Sequence, residues 1–313
     1  MARIIVTGST GFLGQALVPA LEKEGHSVVK IDRRPDTSGT TVVADVRDLD
    51  SMMENIKDTD AVFHLASLIE AGESVKEPQR FLDWNVSGTL NVLEAMRENG
   101  VKHLIFSSSA AIYGDPIKVP IQEDDRTLPV SPYGTTKLAM EGLLSSYVKS
   151  HGFTGTALRY FNLYGPKEHH EPETHGIPRF IDQMLKGESV TQFGDGGHLR
   201  DYIYIDDVVS AHLTALKNSF DNFGKYHYFN ISTGTGATVR EVIDKLGELL
   251  EVMPIITQLP ERAGDPRQLI ADPTKANTIL GWKAQVSFDE GLKNTVAYFK
   301  SLHEVSLQPT ARL

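Results

Sequence analysis

The chain contains no cysteine. That absence excludes disulfides, thiolate nucleophiles and cysteine-ligated metal centres. Cations are also in deficit: 31 lysines and arginines stand against 41 aspartates and glutamates, a formal net charge of -10 at pH 7. A surface of that sign argues against a nucleic-acid or anionic-membrane partner, because phosphate contacts need clustered cations. Any phosphate ligand must then be met by a few focused arginines and by backbone N–H groups. No apolar run approaches the ~20 residues of a membrane span. The N-terminus enters a strand pattern at once, without the layout of a signal peptide, so the expectation is a cytoplasmic protein. Internal repeats and low-complexity tracts are lacking too. What is present is ordinary for a globular chain: 313 residues, 40% hydrophobic and 23% charged. That length fits one large or two smaller domains with a buried core.

The apolar residues come in short bursts. Arg3-Ile4-Ile5-Val6-Thr7 is nearly continuous, as in a strand covered on both faces. Phe12 to Lys23 has helical spacing, with Gly25 as its stop. Ser27 to Asp32 is the next strand, which completes a strand–helix–strand unit. Further strands are expected at 41–45, 61–66, 101–107 and 156–160, most of them separated by helical patterns. That alternation predicts an α/β protein with a doubly wound parallel sheet. Beyond about residue 165 the pattern changes: a polar, proline-rich loop spans 166–178, a strand is expected at 226–232, and a helix at 238–251. This reads as a smaller C-terminal α/β lobe whose segments interleave with the sheet.

Gly8, Gly11 and Gly14 lie between the first strand and the first helix, around Phe12 and Leu13. There they allow a tight turn, close backbone approach to a phosphate and close helix packing, with a pyrophosphate on the helix N-terminus. Asp32 ends the next strand, where an acid accepts hydrogen bonds from an adenosine ribose and repels a 2′-phosphate. That favours NAD, although Arg33 and Arg34 could meet a 2′-phosphate. Asp45-Val46 reads either as an adenine contact or as a capping aspartate.

Tyr133 and Lys137 stand at i and i+4, which puts them on one face of a helix. A free tyrosine, with a pKa of about 10, is too weak a base at neutral pH. Lowering it by about three units takes roughly 4 kcal/mol of preferential phenolate stabilisation. A nearby ammonium and a positive nicotinamide ring can supply that in a dry site. Ser109, at the end of the fifth strand, could bond the same substrate oxygen and orient it. His169, His170 and His175 lie among glutamates, but their spacing in a broken loop matches no fixed ligand pattern, so no metal is expected. His64 reads as a packed histidine, and Trp84, Met52 and Met53 as packing residues.

Taken together, these motifs resemble the extended short-chain dehydrogenase/reductase family, a Rossmann-type fold, and within it the nucleotide-sugar epimerases and dehydratases. The likeness runs from residue 2 to about residue 300. It rests on His64-Leu65-Ala66, Asn85-Val86-Ser87-Gly88-Thr89, Ser107 to Gly114, Tyr133 with Lys137, Arg159 to Pro166, Phe193 to Gly196 and Arg200 to Asp207. The resemblance implies a division into a cofactor domain (1–165) and a nucleotide-sugar lobe (166–313), with 201–236 returning to the sheet. It implies NAD contacts at Gly8, Gly11, Phe12, Leu13, Gly14, Asp32, Arg33, Asp45, Val46, Leu65, Ala66, Ser107, Tyr133, Lys137 and Tyr160. Ser109, Tyr133 and Lys137 would be catalytic. Asn85, Ser109, Asn162, Phe193, Arg200, Arg262, Asp265 and Leu269 would meet a UDP-sugar, the arginines clamping its diphosphate.

The resemblance is strongest to the branch that inverts C4 of UDP-hexoses, plain or N-acetylated, through a transient 4-keto sugar. The acidic pair of the 4,6-dehydratases is Ala110-Ala111 here, and the glutamate usual in uronate decarboxylases is also missing. A lysine typical of galactose epimerases is Ile69, and the residue gating N-acetyl sugars falls near Leu269. Alternatives are another nicotinamide-dependent oxidoreductase or reductase of nucleotide sugars, and a non-catalytic NAD-sensing regulator. Pairing into a homodimer through 91–97 and 133–148 is expected by fold analogy.

Overall fold

The computed structural model describes residues 1–169, 175–261 and 265–307. Seven parallel strands form the central sheet: β1 (Arg3–Thr7), β2 (Ser27–Asp32), β3 (Val42–Val43), β4 (Ala61–His64), β5 (His103–Ser109), β6 (Thr154–Tyr160) and, at the edge beyond β6, Tyr226–Ile231. Their spatial order is Tyr226–Ile231, β6, β5, β4, β1, β2, β3. The winding reverses between β1 and β4, and in such sheets the ligand crevice opens there, beyond the carboxyl ends of the strands.

The near-continuous apolar runs have a direct cause. On one face Ile4, Val6, Phe63, Ile105 and Leu158 pack against the first helix (Phe12–Lys23) and the helix Ile205–Asp221, through Leu17, Leu21, Val208 and Ala211. On the other, Ile5, Val62, Leu104, Phe106 and Ala157 meet Met52, Val92, Met96, Met140 and Leu144 from the helices Leu49–Asn55, Gly88–Glu98 and Pro132–His151. Both faces are dry, so no polar alternation appears in the strands. The expected α/β doubly wound sheet is therefore present. Its third strand is shorter than the sequence pattern: only Val42–Val43 pair with β2, and Val43 is exposed at the sheet edge.

The outermost strand comes from far along the chain. Tyr226–Ile231 pairs with β6 over six residues, from Tyr226 opposite Gly155 to Ile231 opposite Tyr160. Three small sheets hold the rest of the C-terminal half: Asn162–Tyr164 with Tyr202–Tyr204, Val190–Phe193 with Ile256–Leu259, and Leu199–Arg200 flanked by Ala237–Thr238 and Gln268–Leu269. Among the described residues no helix is long and apolar enough to cross a membrane.

Candidate active site

The glycine loop is shaped by close approach. Gly8 has φ +75°, and a Cβ there would stand 2.8 Å from Ala66 N. A Cβ on Gly14 would lie 2.3 Å from Gly8 O, and one on Gly11 3.2 Å from the same oxygen. Side chains are thus excluded where β1, the loop and the first helix meet. Gly11 caps that helix without a side-chain bond, so the first-turn N–H groups have no side-chain acceptor. Ser9 Oγ and Thr10 Oγ1 are buried without a partner. Orphan donors at a helix N-terminus are what an anionic pyrophosphate satisfies. Asp32 is buried at the end of β2, its carboxylate accepting from Thr10 N and Arg34 N at 3.1 Å each. The acid is therefore fixed beside the loop, where a ribose would meet it. These residues fit a dinucleotide.

Farther along this rim, the Arg33 guanidinium lies 4.9 Å and that of Arg47 3.9 Å from the centre of the Trp84 ring, so this tryptophan packs against two cations. Asp45 accepts from Arg47 N at 2.9 Å and from its guanidinium, which holds the carboxyl below the usual range. The cap of the next helix belongs to Asp48, whose carboxylate accepts from Ser51 N at 3.1 Å. Val46 is buried and packs against Gly88.

The long helix Pro132–His151 carries Tyr133 and Lys137 in its first two turns. Ser131 caps it, accepting from Gly134 N at 3.2 Å, and Pro132 occupies its first turn. Tyr133 and Lys137 are both buried on one helical face. Lys137 Nζ donates to Ser107 O at 2.7 Å and Ser67 Oγ at 2.8 Å, and lies 5.9 Å from the centre of the Tyr133 ring. Burial pushes the Lys137 ammonium down to about 7, with Glu141 opposing. Burial pushes the Tyr133 phenol up to about 12; a hydrogen bond from Ser109 pulls it back, and the charge of Glu70 raises it further. Serine, tyrosine and lysine thus converge at the ends of β5 and the long helix. Tyr160 is beside them, its hydroxyl 2.6 Å from His212 Nε2. A phenol raised in this way ionises near neutral pH only with a further source of stabilisation, such as a nearby positive charge.

Sequence reasoning missed Ser67, which no motif marks, and a hydrogen-bond chain that ties the glycine loop to the helix Pro132–His151. Ala66 N donates to Thr7 Oγ1 (3.3 Å), which contacts His64 Nδ1 (2.8 Å); His64 Nε2 contacts Thr89 Oγ1 (3.0 Å), which donates to Asn85 O (2.6 Å). Because the Thr89 proton goes to Asn85 O, Thr89 accepts from His64 Nε2–H, and Nδ1 accepts from Thr7. Burial and the Lys137 charge push this histidine down to about 3, so it stays neutral. Asn85 continues the chain, donating to Thr136 Oγ1 (2.9 Å), which donates to Tyr133 O (2.7 Å).

That corrects the expectation for Asn85. It is fully buried, its amide also exchanging two bonds with the Leu68 backbone at 2.8 and 3.0 Å. Its polar atoms serve the protein interior rather than a substrate phosphate. Asn162 sits at the rim, its amide donating to Asp201 O at 3.1 Å. Arg200 and Asp265 come together as an ion pair at 2.5 Å, and Leu269 lies opposite Arg200 in strand register. Phe193 ends a different small sheet, with the Arg179 guanidinium 5.8 Å from its ring centre. Arg262 and His170 lie outside the described residues. Among the described residues no three histidine, aspartate or glutamate side chains gather as metal ligands.

A dinucleotide cradle beside a buried tyrosine–lysine pair suits hydride and proton transfer at an alcohol carbon. The class it defines is that of nicotinamide-dependent enzymes built on a doubly wound sheet. Comparison with known proteins narrows this: residues 4–232 match the NAD dependent epimerase/dehydratase family, and the chain belongs to it. The UDP-glucose 4-epimerase of Lactobacillus helveticus is 37% identical over 303 residues, 90% of this chain and 92% of that protein. The crystal structure of the UDP-glucose 4-epimerase of Thermotoga maritima with UDP-glucose superposes with TM-score 0.90 at 37% identity, covering 96% of this chain and 99% of that one. The UDP-glucuronic acid 4-epimerase of Bacillus cereus, solved with UDP-glucuronic acid and NAD, reaches TM-score 0.87 at 31% identity, with coverage of 96% and 99%.

Proposed function

We propose that this chain is an NAD-dependent UDP-sugar 4-epimerase, inverting C4 of a UDP-hexose or its N-acetyl form through a 4-keto sugar. The observation that carries this reading is the convergence of Ser109, Tyr133 and Lys137 at the rim that also holds the glycine cradle. Ala110-Ala111 follow the serine, so no acid stands there to eliminate water.

NAD held by the glycine cradle and Asp32 would supply a hydride acceptor and donor for C4. The protein's own groups do the rest. Gly8, Gly11 and Gly14 admit the pyrophosphate to the helix N-terminus, and Asp32 receives the ribose. Tyr133 takes the proton of the 4-hydroxyl and gives it back, while Ser109 bonds the same oxygen. Lys137, held by Ser67 and the Ser107 carbonyl, keeps an ammonium close to the phenol. Arg200, with Asp265, faces the diphosphate; Asn162, Phe193, Arg262 and Leu269 complete the nucleotide-sugar side. Firm binding of UDP with a loosely held hexose lets the keto sugar turn its other face to Tyr133.

We assign residues 1–165 to cofactor binding and 166–313 to the nucleotide sugar, with 201–236 built into the sheet. The helices Gly88–Glu98 and Pro132–His151 are the face proposed to pair in a homodimer, where Leu90 is exposed. The cytoplasm is the proposed location, in keeping with a chain devoid of cysteine.

The test is incubation with UDP-galactose or UDP-N-acetylgalactosamine and catalytic NAD, with C4 configuration read by proton NMR. Conversion to the gluco partner without net NADH is expected. Bound NAD with no conversion of either sugar would overturn the reading.

A further inference from the structure

The sheet face under the helix Pro132–His151 is apolar until its carboxyl end. Leu104 and Phe106 of β5 and Ala157 of β6 share a core with Met140 and Leu144 of that helix. Two residues further along each strand, the same face carries Ser108 and Arg159, which stand opposite each other in register. The helix meets them with Glu141, and all three side chains are buried. Ser108 Oγ donates to Glu141 Oε1 at 2.5 Å. Arg159 grips the same carboxylate at both oxygens, Nε to Oε1 at 3.0 Å and Nη2 to Oε2 at 2.8 Å. Its Nη1 donates to the Tyr113 hydroxyl at 2.9 Å and to Glu123 O at 2.8 Å, so the guanidinium is held from a third side.

The place of this polar trio gives it a task. Tyr133, Lys137 and Glu141 follow one another at four-residue spacing along one helix face. They meet three consecutive residues of β5: the Ser109 hydroxyl bonds the Tyr133 phenol, Lys137 Nζ donates to Ser107 O at 2.7 Å, and Glu141 accepts from Ser108. Apolar contacts are non-directional and tolerate a small slide of helix over strand. A bidentate, charge-assisted set of hydrogen bonds does not. A buried ion pair is also a poor source of stability, since apolar side chains of similar volume often serve as well. We propose that Ser108, Glu141 and Arg159 are positioning residues, which fix the register of the helix Pro132–His151 on β5 and so the placement of Tyr133 and Lys137 against Ser109. This deepens the 4-epimerase reading and rests on it.

The experiment measures kcat and KM for UDP-galactose, with saturating NAD, in the wild type, Ser108→Ala and the double variant Glu141→Leu/Arg159→Met. Ser108→Ala removes one bond of the set and keeps both charges, so its effect is positional: kcat should fall about tenfold with KM within about twofold. The double variant exchanges the ion pair for apolar side chains. Folded and NAD-binding, it should lose about 100-fold in kcat, the cost of a misplacement of about 1 Å. Its crystal structure should show the Lys137 Nζ to Ser107 O contact opened beyond ~3.5 Å. Wild-type kcat in Ser108→Ala overturns the proposal, as does a folded double variant with that contact still at 2.7 Å. Should the double variant fail to fold, Ser108→Ala decides alone. A wild type without turnover would count against the epimerase reading, with the crystal structure still deciding the positioning.

Discussion

Replacing Lys137 with methionine removes one buried charge and leaves an apolar stem of similar length. Tyr133 starts from a phenol pushed up to about 12 by burial. Working as a base near pH 7 requires a shift of about five units, or roughly 7 kcal/mol. The Lys137 ammonium lies 5.9 Å from the ring centre. At that separation and an effective dielectric of ~20, two unit charges attract by about 3 kcal/mol, or about two pKa units. Lys137 thus supplies under half of the requirement; the Ser109 hydrogen bond and the positive charge of an oxidised nicotinamide must cover the remainder. Losing the cation disfavours the phenolate, so its pKa rises and the acid limb of the rate profile moves to higher pH. In Lys137→Met the acid limb of kcat/KM, measured with saturating NAD, should shift up by about two units, with turnover near pH 7 down ~100-fold. A folded, NAD-binding variant whose acid limb stays in place would show that the ammonium does not hold the phenolate.

Tyr133→Phe should cut turnover by ~1,000-fold or more while calorimetry shows UDP-sugar affinity nearly unchanged, since the hydroxyl acts on the proton; near-normal turnover would remove the assigned base. Gly14→Ala brings a Cβ to 2.3 Å from Gly8 O and 2.7 Å from Ser9 backbone atoms, so about 2–3 kcal/mol of stability and the NAD-induced rise in melting temperature should both be lost. His212 is pushed down to about 4 by burial, below its unfolded value of about 6.5. The unfolded chain then binds more protons in that window, and stability falls by about 2 kcal/mol from this group between pH 7 and 5. Asp201 opposes it: its carboxyl, pushed up to about 6, contributes stability at low pH that is lost as pH rises through 6. His212→Gln should flatten the melting temperature against pH relative to the wild type, and parallel curves would refute the assignment.

The elements easiest to read in the sequence were those whose pattern is set locally. Arg3–Thr7, Phe12–Lys23 and Ser27–Asp32 fall where expected, because apolar runs, helical spacing and glycine stops are all short-range signals. Tyr133 and Lys137 share a helical face for the same reason. What stayed hidden was the direction in which polar side chains point. Asn85 looks like any asparagine near a phosphate until its amide is seen bonded to Leu68 and Thr136. Ser67 becomes Lys137's partner only once β4 and the long helix are brought together. Glu70 and Glu168 are distant in sequence and are brought together at His175, whose spacing in the loop matches no metal-ligand pattern. The third strand fell short because an edge strand has one neighbour to hold it.

The position of Tyr226–Ile231 also bears on how the chain is made. Every residue of β6 is buried, and β6 is covered on its outer side only by this late strand. A ribosome working at ~5–20 residues per second needs several seconds to pass from the end of β6 to that partner. Throughout that interval the nascent chain presents a bare, apolar strand edge, the feature most prone to pair with a neighbouring molecule. Translation past residue 231 is therefore the step that ends the hazard. Stopping a recombinant chain near residue 165 would make the hazard permanent, and yield of soluble enzyme will depend on what shields β6 until its partner arrives.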